Sequence, residues 1–520
     1  MFKPPKNTPL VIFRLTLTAI IIYTLAKHMI LNSRAIIWQD EALMFYMANH
    51  TPFTGYFMVA MKGMVSGMPW PFIEYWLYYH LLDHFVPFGL LMEHVEFFLR
   101  LPLTFYSAVA MASVYGMTRR LSNSYIFAGL CTILLFTANS MASHLGSEVR
   151  QHTSGYAHTA LSWFLLTMVL TAPPEEKIRK YIWLSLWSLS AIITGGTHIF
   201  ATYSVFLQIM IFVAAGHRLL PSRFDLSHYS SLAKTASLLA VYGMAVVEAL
   251  YFRFLSTKPD PRPAQLADNT EIFFHSVSEL GRQMFIPNFW PWVTFFLLAT
   301  GLAIWREKQV KARLKLGFLG LLGAAQIAAT LFICFKYFKM GWGPDYWMGR
   351  YTWIGLTPFV FCLSTLAGNL WEKPDEQKFL LPVSIIGIIL FCASPGFTRT
   401  YWGGLSMDFS RESNPYVLIK NEIARFDAFD KTMFVLGLKP TQDPSSQEDI
   451  HGRLVDQSWQ IYTGGPFNMA RIWQHPTMYA NRINIPCEHR DKLPFAGFKA
   501  SLYAVDFCEK DKIYLRVVKP

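Results

Sequence analysis

Long apolar segments recur along this chain of 520 residues, and they limit its fold more than any other feature. A helix that crosses a bilayer needs about 20 mainly apolar residues. By this measure we predict about eleven spans, near residues 10–31, 97–118, 123–143, 154–171, 181–199, 200–216, 235–256, 287–305, 316–337, 351–370 and 379–396. Charged residues make up 15% of the chain, whereas a soluble domain has about a quarter. The sequence therefore predicts a polytopic α-helical membrane protein.

Basic residues gather in alternate loops between these segments and give the chain a net charge of +12. In membrane proteins, an excess of Lys and Arg marks the cytoplasmic loops. The loops assigned to that side contain Lys3, Lys6 and residues 119–120, 177–180, 217–223, 306–315 and 373–378. This distribution explains the positive charge without a nucleic-acid partner. We predict a multi-pass protein of the inner (plasma) membrane, with the first apolar segment as a retained signal anchor.

Two regions on the opposite, extracytoplasmic side have a distinct composition. Loop 32–96 is too apolar in places for a solvated loop, and its segment 70–80, rich in Trp and Tyr, predicts a helix lying in the membrane interface. The tail turns polar near residue 397 and contains β-like runs at 433–438 and 513–518. We predict a transmembrane module over residues 1–396 and a small α+β domain over residues 397–520.

Two adjacent carboxylates, Asp40 and Glu41, follow the first apolar segment almost directly. Acidic side chains at a membrane boundary are costly unless they face water, protein or a ligand. Neighbouring residues on a helix point about 100° apart, so the two cannot form a dyad on one face. We predict that one of them faces a substrate cavity and the other a hydrogen-bond or cationic partner. The alternative is that the pair caps the start of a helix.

Several basic side chains stand at the predicted outer ends of later spans, where they could hold a phosphate. Arginine suits this role because its planar fork donates two hydrogen bonds and keeps its charge. Arg150 lies in the link 144–153 and Arg350 lies at the start of a span, with Lys336 before the same loop. An ion pair between Arg150 and Glu148, or snorkelling by the lysine, is the alternative.

Other motifs are absent from the sequence. It contains no Gly-rich phosphate loop, zinc-protease motif or nucleophile elbow, so ATP-driven transport and soluble-type hydrolysis have no support. His144, His152 and His158 are spaced eight and six residues apart, which does not fit one helix face. We predict that they are core or solvated histidines, because these are commoner than metal ligands.

In their order and spacing, the motifs along the first 370 residues or so resemble the GT-C superfamily of membrane glycosyltransferases. The nearest branch is that of the protein O-mannosyltransferases and the lipid A aminoarabinose transferase. The motifs are Trp38-Gln39-Asp40-Glu41, the interfacial helix from Pro69 to Tyr79, Arg100-Leu101-Pro102, Glu148 to Arg150, Thr197-His198, and Arg350-Tyr351 followed by Pro358. The sequence departs from the family at Pro69-Trp70-Pro71-Phe72, which replaces a His-Pro-Pro-Leu-Tyr type segment.

The resemblance implies a polyprenyl-phosphate sugar as donor, an acceptor on the outer face of the bilayer, and inverting displacement at the anomeric carbon. It implies a catalytic role for Asp40 and Glu41, and we predict that Asp40 is the general base that reaches the acceptor hydroxyl and that Glu41 supports it. It implies further roles for two sets of residues, namely Arg350, Arg150, Lys336 and Tyr351 at the donor phosphate, and Glu74, Tyr78, Glu148 and His198 as substrate-binding residues. Some members use a divalent cation, and the sequence leaves the use of Mg²⁺ or Mn²⁺ open.

Two other classes of function are compatible with an apolar chain of this kind. One is a secondary transporter or flippase of a glycolipid, although such proteins usually place polar residues mid-membrane and often show two related halves. The other is a glycolipid-binding subunit without catalytic activity. The concentration of ionisable residues at the outer interface, with Glu248 among the few that look intramembrane, favours the transferase.

Overall fold

The computed structural model describes residues 8–34, 69–87, 90–91, 94–137, 151–176, 178–255, 289–339, 354, 356–370, 376–393, 433–436 and 515–518. The helices in these ranges are α1 (Thr8–Arg34), α2 (Pro69–Phe85), α3 (Val95–Ser122), α4 (Tyr125–Thr132, continued by a π-helical turn, Ile133–Thr137), α5 (Gln151–Leu170), α6 (Arg179–Gly195), α7 (Ile199–Gly216), α8 (Ser231–Leu255), α9 (Phe289–Arg306), α10 (Val310–Lys339), α11 (Leu356–Leu370) and α12 (Gln377–Cys392).

A helix lies over each segment in which the sequence predicts a span, and α2 lies over the predicted interfacial helix. In the described part of the chain, three stretches are long and apolar enough to cross a membrane: Thr8–Ile30, Glu96–Ser122 and Ser231–Leu250. The described residues therefore form a helical protein with three candidate spans among them, and the number of about eleven stays a prediction.

The chain divides into two compact units. The first comprises Met1–Ile30, Phe53–Glu74 and Leu101–Gly404. The second comprises Leu31–Pro52, Tyr75–Arg100 and Leu405–Pro520. The predicted boundary between residues 396 and 397 lies outside the described residues. In the second unit, strand β1 (Met433–Leu436) pairs antiparallel with β2 (Leu515–Val518), at the two predicted β-like runs. The predicted α+β domain around them stays a prediction.

Helix α5 lies at the centre of the first unit, where it packs against α6, α7 and α11. Several polar side chains in this core bind one another. The indole of Trp187 and the hydroxyl of Ser162 both donate to Oε1 of Gln208, at 2.8 and 2.7 Å, and the indole of Trp163 donates to Ser204 at 2.7 Å. Buried polar groups need such partners because water cannot reach them. These bonds fix the register between α5, α6 and α7.

One end of this helical unit is held together by basic side chains that bind backbone carbonyls of neighbouring helices and loops. Arg120 donates to the Thr171 carbonyl at 2.7 Å, and Lys180 donates to the His228 carbonyl at 2.6 Å. Arg223 donates to the carbonyls of Leu121 and Thr365. The last carbonyls of a helix lack intrahelical partners, and cations are favoured there. Residues from predicted cytoplasmic loops thus meet at a common end of the unit.

Candidate functional site

A buried carboxylate, Glu74, gathers hydrogen-bond donors from two other helices at the opposite end of the first unit. Tyr106 on α3 donates to its Oε2 at 2.8 Å, and Ser154 on α5 donates to the same oxygen at 2.6 Å. Nε2 of His158, also on α5, lies 2.5 Å from Oε1. We call these four residues the Glu74 cluster. Two of its side chains are partly exposed to solvent: Glu74 is 22% exposed and His158 is 18% exposed.

Local sequence explains how the cluster is positioned. Proline at residues 69 and 71 falls in the first turn of α2, where a missing N–H costs nothing. The backbone N–H of Trp70 donates to the Gly196 carbonyl at 3.2 Å, which docks this turn against the link between α6 and α7. Glu74 follows Trp70 by one turn. Ser154 and His158 are four residues apart on α5, so they share one helix face.

The surroundings of Glu74 decide its charge. Burial raises the pKa of this carboxyl, but the hydrogen bond and charge of His158 and the hydroxyls of Ser154 and Tyr106 outweigh burial and hold the pKa below its ordinary value. Glu74 is therefore ionised at neutral pH and acts only as an acceptor, so Nε2 of His158 carries the proton between them. A carboxylate has about four acceptor positions. Donors from the described residues fill three, and no donor in that part of the chain fills the fourth, which lies on Oε1.

The predicted residue His198 lies in the link between α6 and α7, next to the Glu74 cluster. Its Nδ1 accepts a hydrogen bond from the Phe200 N–H at 3.3 Å and so caps α7. Its ring lies 5.1 Å from that of His152, which precedes Ser154 by two residues on α5. The hydroxyl of Thr194 donates to the His158 carbonyl at 3.0 Å. His198 in the link and Thr194 near the end of α6 therefore both contact α5.

Tyr78, also predicted to bind substrate, has a structural partner. Its hydroxyl donates to the Phe98 carbonyl at 2.5 Å. That carbonyl would normally accept from the backbone of residue 102, but Pro102 has no N–H to donate. Tyr78 thus satisfies a carbonyl that proline leaves unpaired within α3. Its hydroxyl proton is committed to this bond, and a role in substrate binding stays a prediction.

The other predicted site residues cannot be placed. Asp40, Glu41, Glu148, Arg150, Arg350 and Tyr351 lie outside the described residues, and for Lys336 on α10 only the backbone is described. Their roles stay predictions. Within the described ranges, no group of three or more His, Cys, Asp or Glu side chains is arranged to hold a metal ion.

Sequence reasoning missed three members of the Glu74 cluster, namely Tyr106, Ser154 and His158. The histidine was predicted to be a core or solvated residue, and the structure instead pairs it with a carboxylate. The one local signal was the spacing of four between Ser154 and His158, which places both on one face. Their common partner is 80 and 84 residues away, so no local pattern could identify it.

Comparison with known proteins gives distant structural similarity. No family model matches the chain, and no curated protein matches it. Two solved structures of the Archaeoglobus fulgidus oligosaccharyltransferase are similar to it, one in the apo form and one tethered by a disulfide to an acceptor peptide with the NVT sequon. Both are 10% identical with a TM-score of 0.44. The matches cover 80% and 82% of this chain but only 58% and 59% of those chains.

Proposed function

We propose that the protein is a membrane glycosyltransferase of the GT-C type, which moves a sugar from a polyprenyl-phosphate donor to an acceptor on the outer face of the bilayer. The observation that carries this proposal is the Glu74 cluster. It offers a partly exposed, ionised carboxylate with one acceptor position that none of the described residues fills. A sugar hydroxyl is the kind of group that donates to such a position. The cluster lies at the end of the helical unit away from the basic residues, as an outward-facing site requires.

Glu74 is suited to binding rather than to proton abstraction. Three donors stabilise its charged form, and this makes it a weak base. We propose that Glu74 orients a hydroxyl of the sugar or acceptor, with His198 nearby and Glu148 and Tyr78 as further substrate contacts. His158 holds the carboxylate in place and keeps it charged.

The transfer itself needs a base and a stabilised leaving group. In the proposed reaction, Asp40 accepts the proton of the acceptor hydroxyl, with Glu41 beside it, as the acceptor oxygen forms its bond to the anomeric carbon. The bond from that carbon to the phosphate oxygen breaks with inversion, and polyprenyl phosphate departs with the electron pair. Its charge would be stabilised by Arg350 and other donors, namely Arg150, Lys336 and Tyr351. The departing phosphate needs no protonation, and a role for Mg²⁺ or Mn²⁺ is left open.

A strain that lacks this protein tests the proposal by mass spectrometry of its lipids and envelope glycans. We expect an accumulated polyprenyl-phosphate sugar and a missing sugar on one envelope component. Wild-type protein and Glu175→Gln, which changes an exposed loop carboxylate, should restore the wild-type pattern. Asp40→Asn and Glu74→Gln should not. Unchanged lipid-linked sugars and glycans in the deletion strain would refute the transferase, and flipping without a covalent product in proteoliposomes would favour a flippase.

A further inference from the structure

A second carboxylate, Glu248, is buried near the end of the candidate span in α8. The residue is 6% exposed. Neither of its oxygens accepts a hydrogen bond of good geometry from the part of the chain that the structure describes. The donor that faces it is the indole N–H of Trp70. A carboxylate that has lost its water without gaining partners is costly, and such groups in native proteins usually have a function.

Two glycines make the space for this carboxylate. A Cβ atom on Gly195 would overlap Oε2 of Glu248. A Cβ atom on Gly196 would collide with the Trp70 indole and would lie 3.0 Å from Oε1. The backbone of the link is itself held, because Thr202 donates to the Gly195 carbonyl at 2.7 Å. Any larger residue at either position would therefore displace the carboxylate or the indole.

Trp70 lies between this carboxylate and the Glu74 cluster. It precedes Glu74 by one turn of α2, about 6 Å along the helix axis. Its backbone is fixed by the bond to the Gly196 carbonyl, but its side chain is only half-buried. The indole can therefore turn away from Glu248 while α2 stays docked. This motion would make both carboxyl oxygens of Glu248 accessible to hydrogen-bond donors of a ligand, next to the face of the indole ring.

We propose that Glu248, Trp70 and the Gly195–Gly196 backbone form a second sugar subsite, which rests on the function proposed above. The carboxylate would accept hydrogen bonds from hydroxyl groups on the sugar, and the indole would pack on the apolar face of the ring. The carboxyl group fits polyols because its two oxygens, which have no partner among the described residues, can accept several hydrogen bonds from hydroxyl groups. The glycine pair lets the ring approach the backbone closely. Glu74 and this subsite, which lie one turn of α2 apart, would then bind different hydroxyl groups of the substrate.

Binding to synthetic lipids tests this subsite. The purified full-length protein in nanodiscs would be titrated with farnesyl phosphate and with farnesyl-phosphate hexose and pentose. Wild-type protein should bind at least one glycosylated probe more tightly than farnesyl phosphate. Glu248→Gln should weaken that binding about fivefold or more, the change expected for the loss of one hydrogen bond, and should leave the Kd of farnesyl phosphate unchanged.

A stability measurement separates this role from a structural one. Gln has the same shape, so Glu248→Gln should unfold at the same temperature as wild type or higher, because the Glu248 oxygens have no hydrogen-bond partner to lose among the described residues. A carboxylate with a structural role would lose stability instead, and this outcome would overturn the proposal. Gly195→Ala should also lose the preference for the glycosylated probe. Gly243→Ala is its matched control on α8, where a Cβ meets nothing within 4 Å.

The outcomes distinguish the two proposals. If wild type prefers a glycosylated probe and Glu248→Gln and Gly195→Ala keep that preference, the subsite is wrong and the transferase proposal stands. If wild type binds no glycosylated probe more tightly than farnesyl phosphate, the lipid-linked donor is wrong and the subsite fails with it. Trp70→Leu, which keeps an apolar side chain but removes the ring, should weaken the glycosylated probe alone, while Trp70→Phe should retain part of the binding.

Discussion

Replacement of Glu74 by Gln is the sharpest test of the cluster that carries the proposed function. The variant keeps the shape of the side chain but removes its charge. In the wild type, each of the three hydrogen bonds has a charged acceptor and is worth about 1.5–3 kcal/mol. In the variant, each has a neutral acceptor and is worth about 0.5–1.5 kcal/mol. The amide nitrogen must also face a donor, since both carboxylate oxygens accept in the wild type.

The net loss is smaller than these bonds suggest, because neutralising a mostly buried charge recovers part of its desolvation cost. We expect Glu74→Gln to lower the free energy of unfolding by about 2 kcal/mol at pH 7. The assay is thermal unfolding of the purified protein in detergent, followed by intrinsic fluorescence. Glu175→Gln, at an exposed carboxylate in the link between α5 and α6, should leave the midpoint unchanged and serves as the matched control.

The difference between wild type and Glu74→Gln should depend on pH. The folded-state pKa of Glu74 is lowered, so its ionisation stabilises the fold above the pKa of an unfolded glutamate, about 4.3. This contribution is complete at pH 7 and is lost as the pH falls through the lowered folded-state value. The two unfolding midpoints should therefore converge in acid. Equal midpoints at pH 7, or a gap that persists unchanged at pH 3, would refute the reasoning.

Two further variants test the packing that holds the site. Gln208→Leu leaves the donors of Ser162 and Trp187 buried without their acceptor, so we expect a loss of about 2–4 kcal/mol in unfolding free energy, measured by thermal or denaturant unfolding. Arg223→Ala removes a donor from the carbonyls of Leu121 and Thr365, of which Thr365 keeps Asn369 as a donor, and should cost about 1–3 kcal/mol. Arg218→Ala, at an exposed position, should cost less than about 0.5 kcal/mol. A stability loss in Arg218→Ala but not in Arg223→Ala would contradict the view that bonds from basic side chains to backbone carbonyls hold this end of the unit together.

Much of the helical framework is predictable because its cause is local. An apolar run of about 20 residues has few options other than a helix, and α1, α3 and α8 follow such runs closely. The start of α2 is marked by proline at residue 69, where helices tolerate it. The two strands fall on short β-branched and aromatic runs.

The functional site is harder to predict because its members meet across the chain. Glu74 could be named from its place on the interfacial helix, but His158 could not be recognised as its partner. A histidine on an apolar helix looks the same in sequence whether it is buried alone or binds a carboxylate. Glu248 could be recognised in the sequence as an intramembrane acid. Its packing against Gly195 and Gly196 is visible only in three dimensions.

The sequence by itself determined that the chain is helical and membrane-like, where its helices lie, and which loops are basic. These properties follow from hydropathy and charge summed over neighbouring residues. The tertiary structure decided which side chains share a site. The docking of α2 through Trp70 and Gly196 brings Glu74 to the face of α5 that carries Ser154 and His158. Glu74 is ionised because hydrogen-bond donors from other helices lower its pKa more than burial raises it.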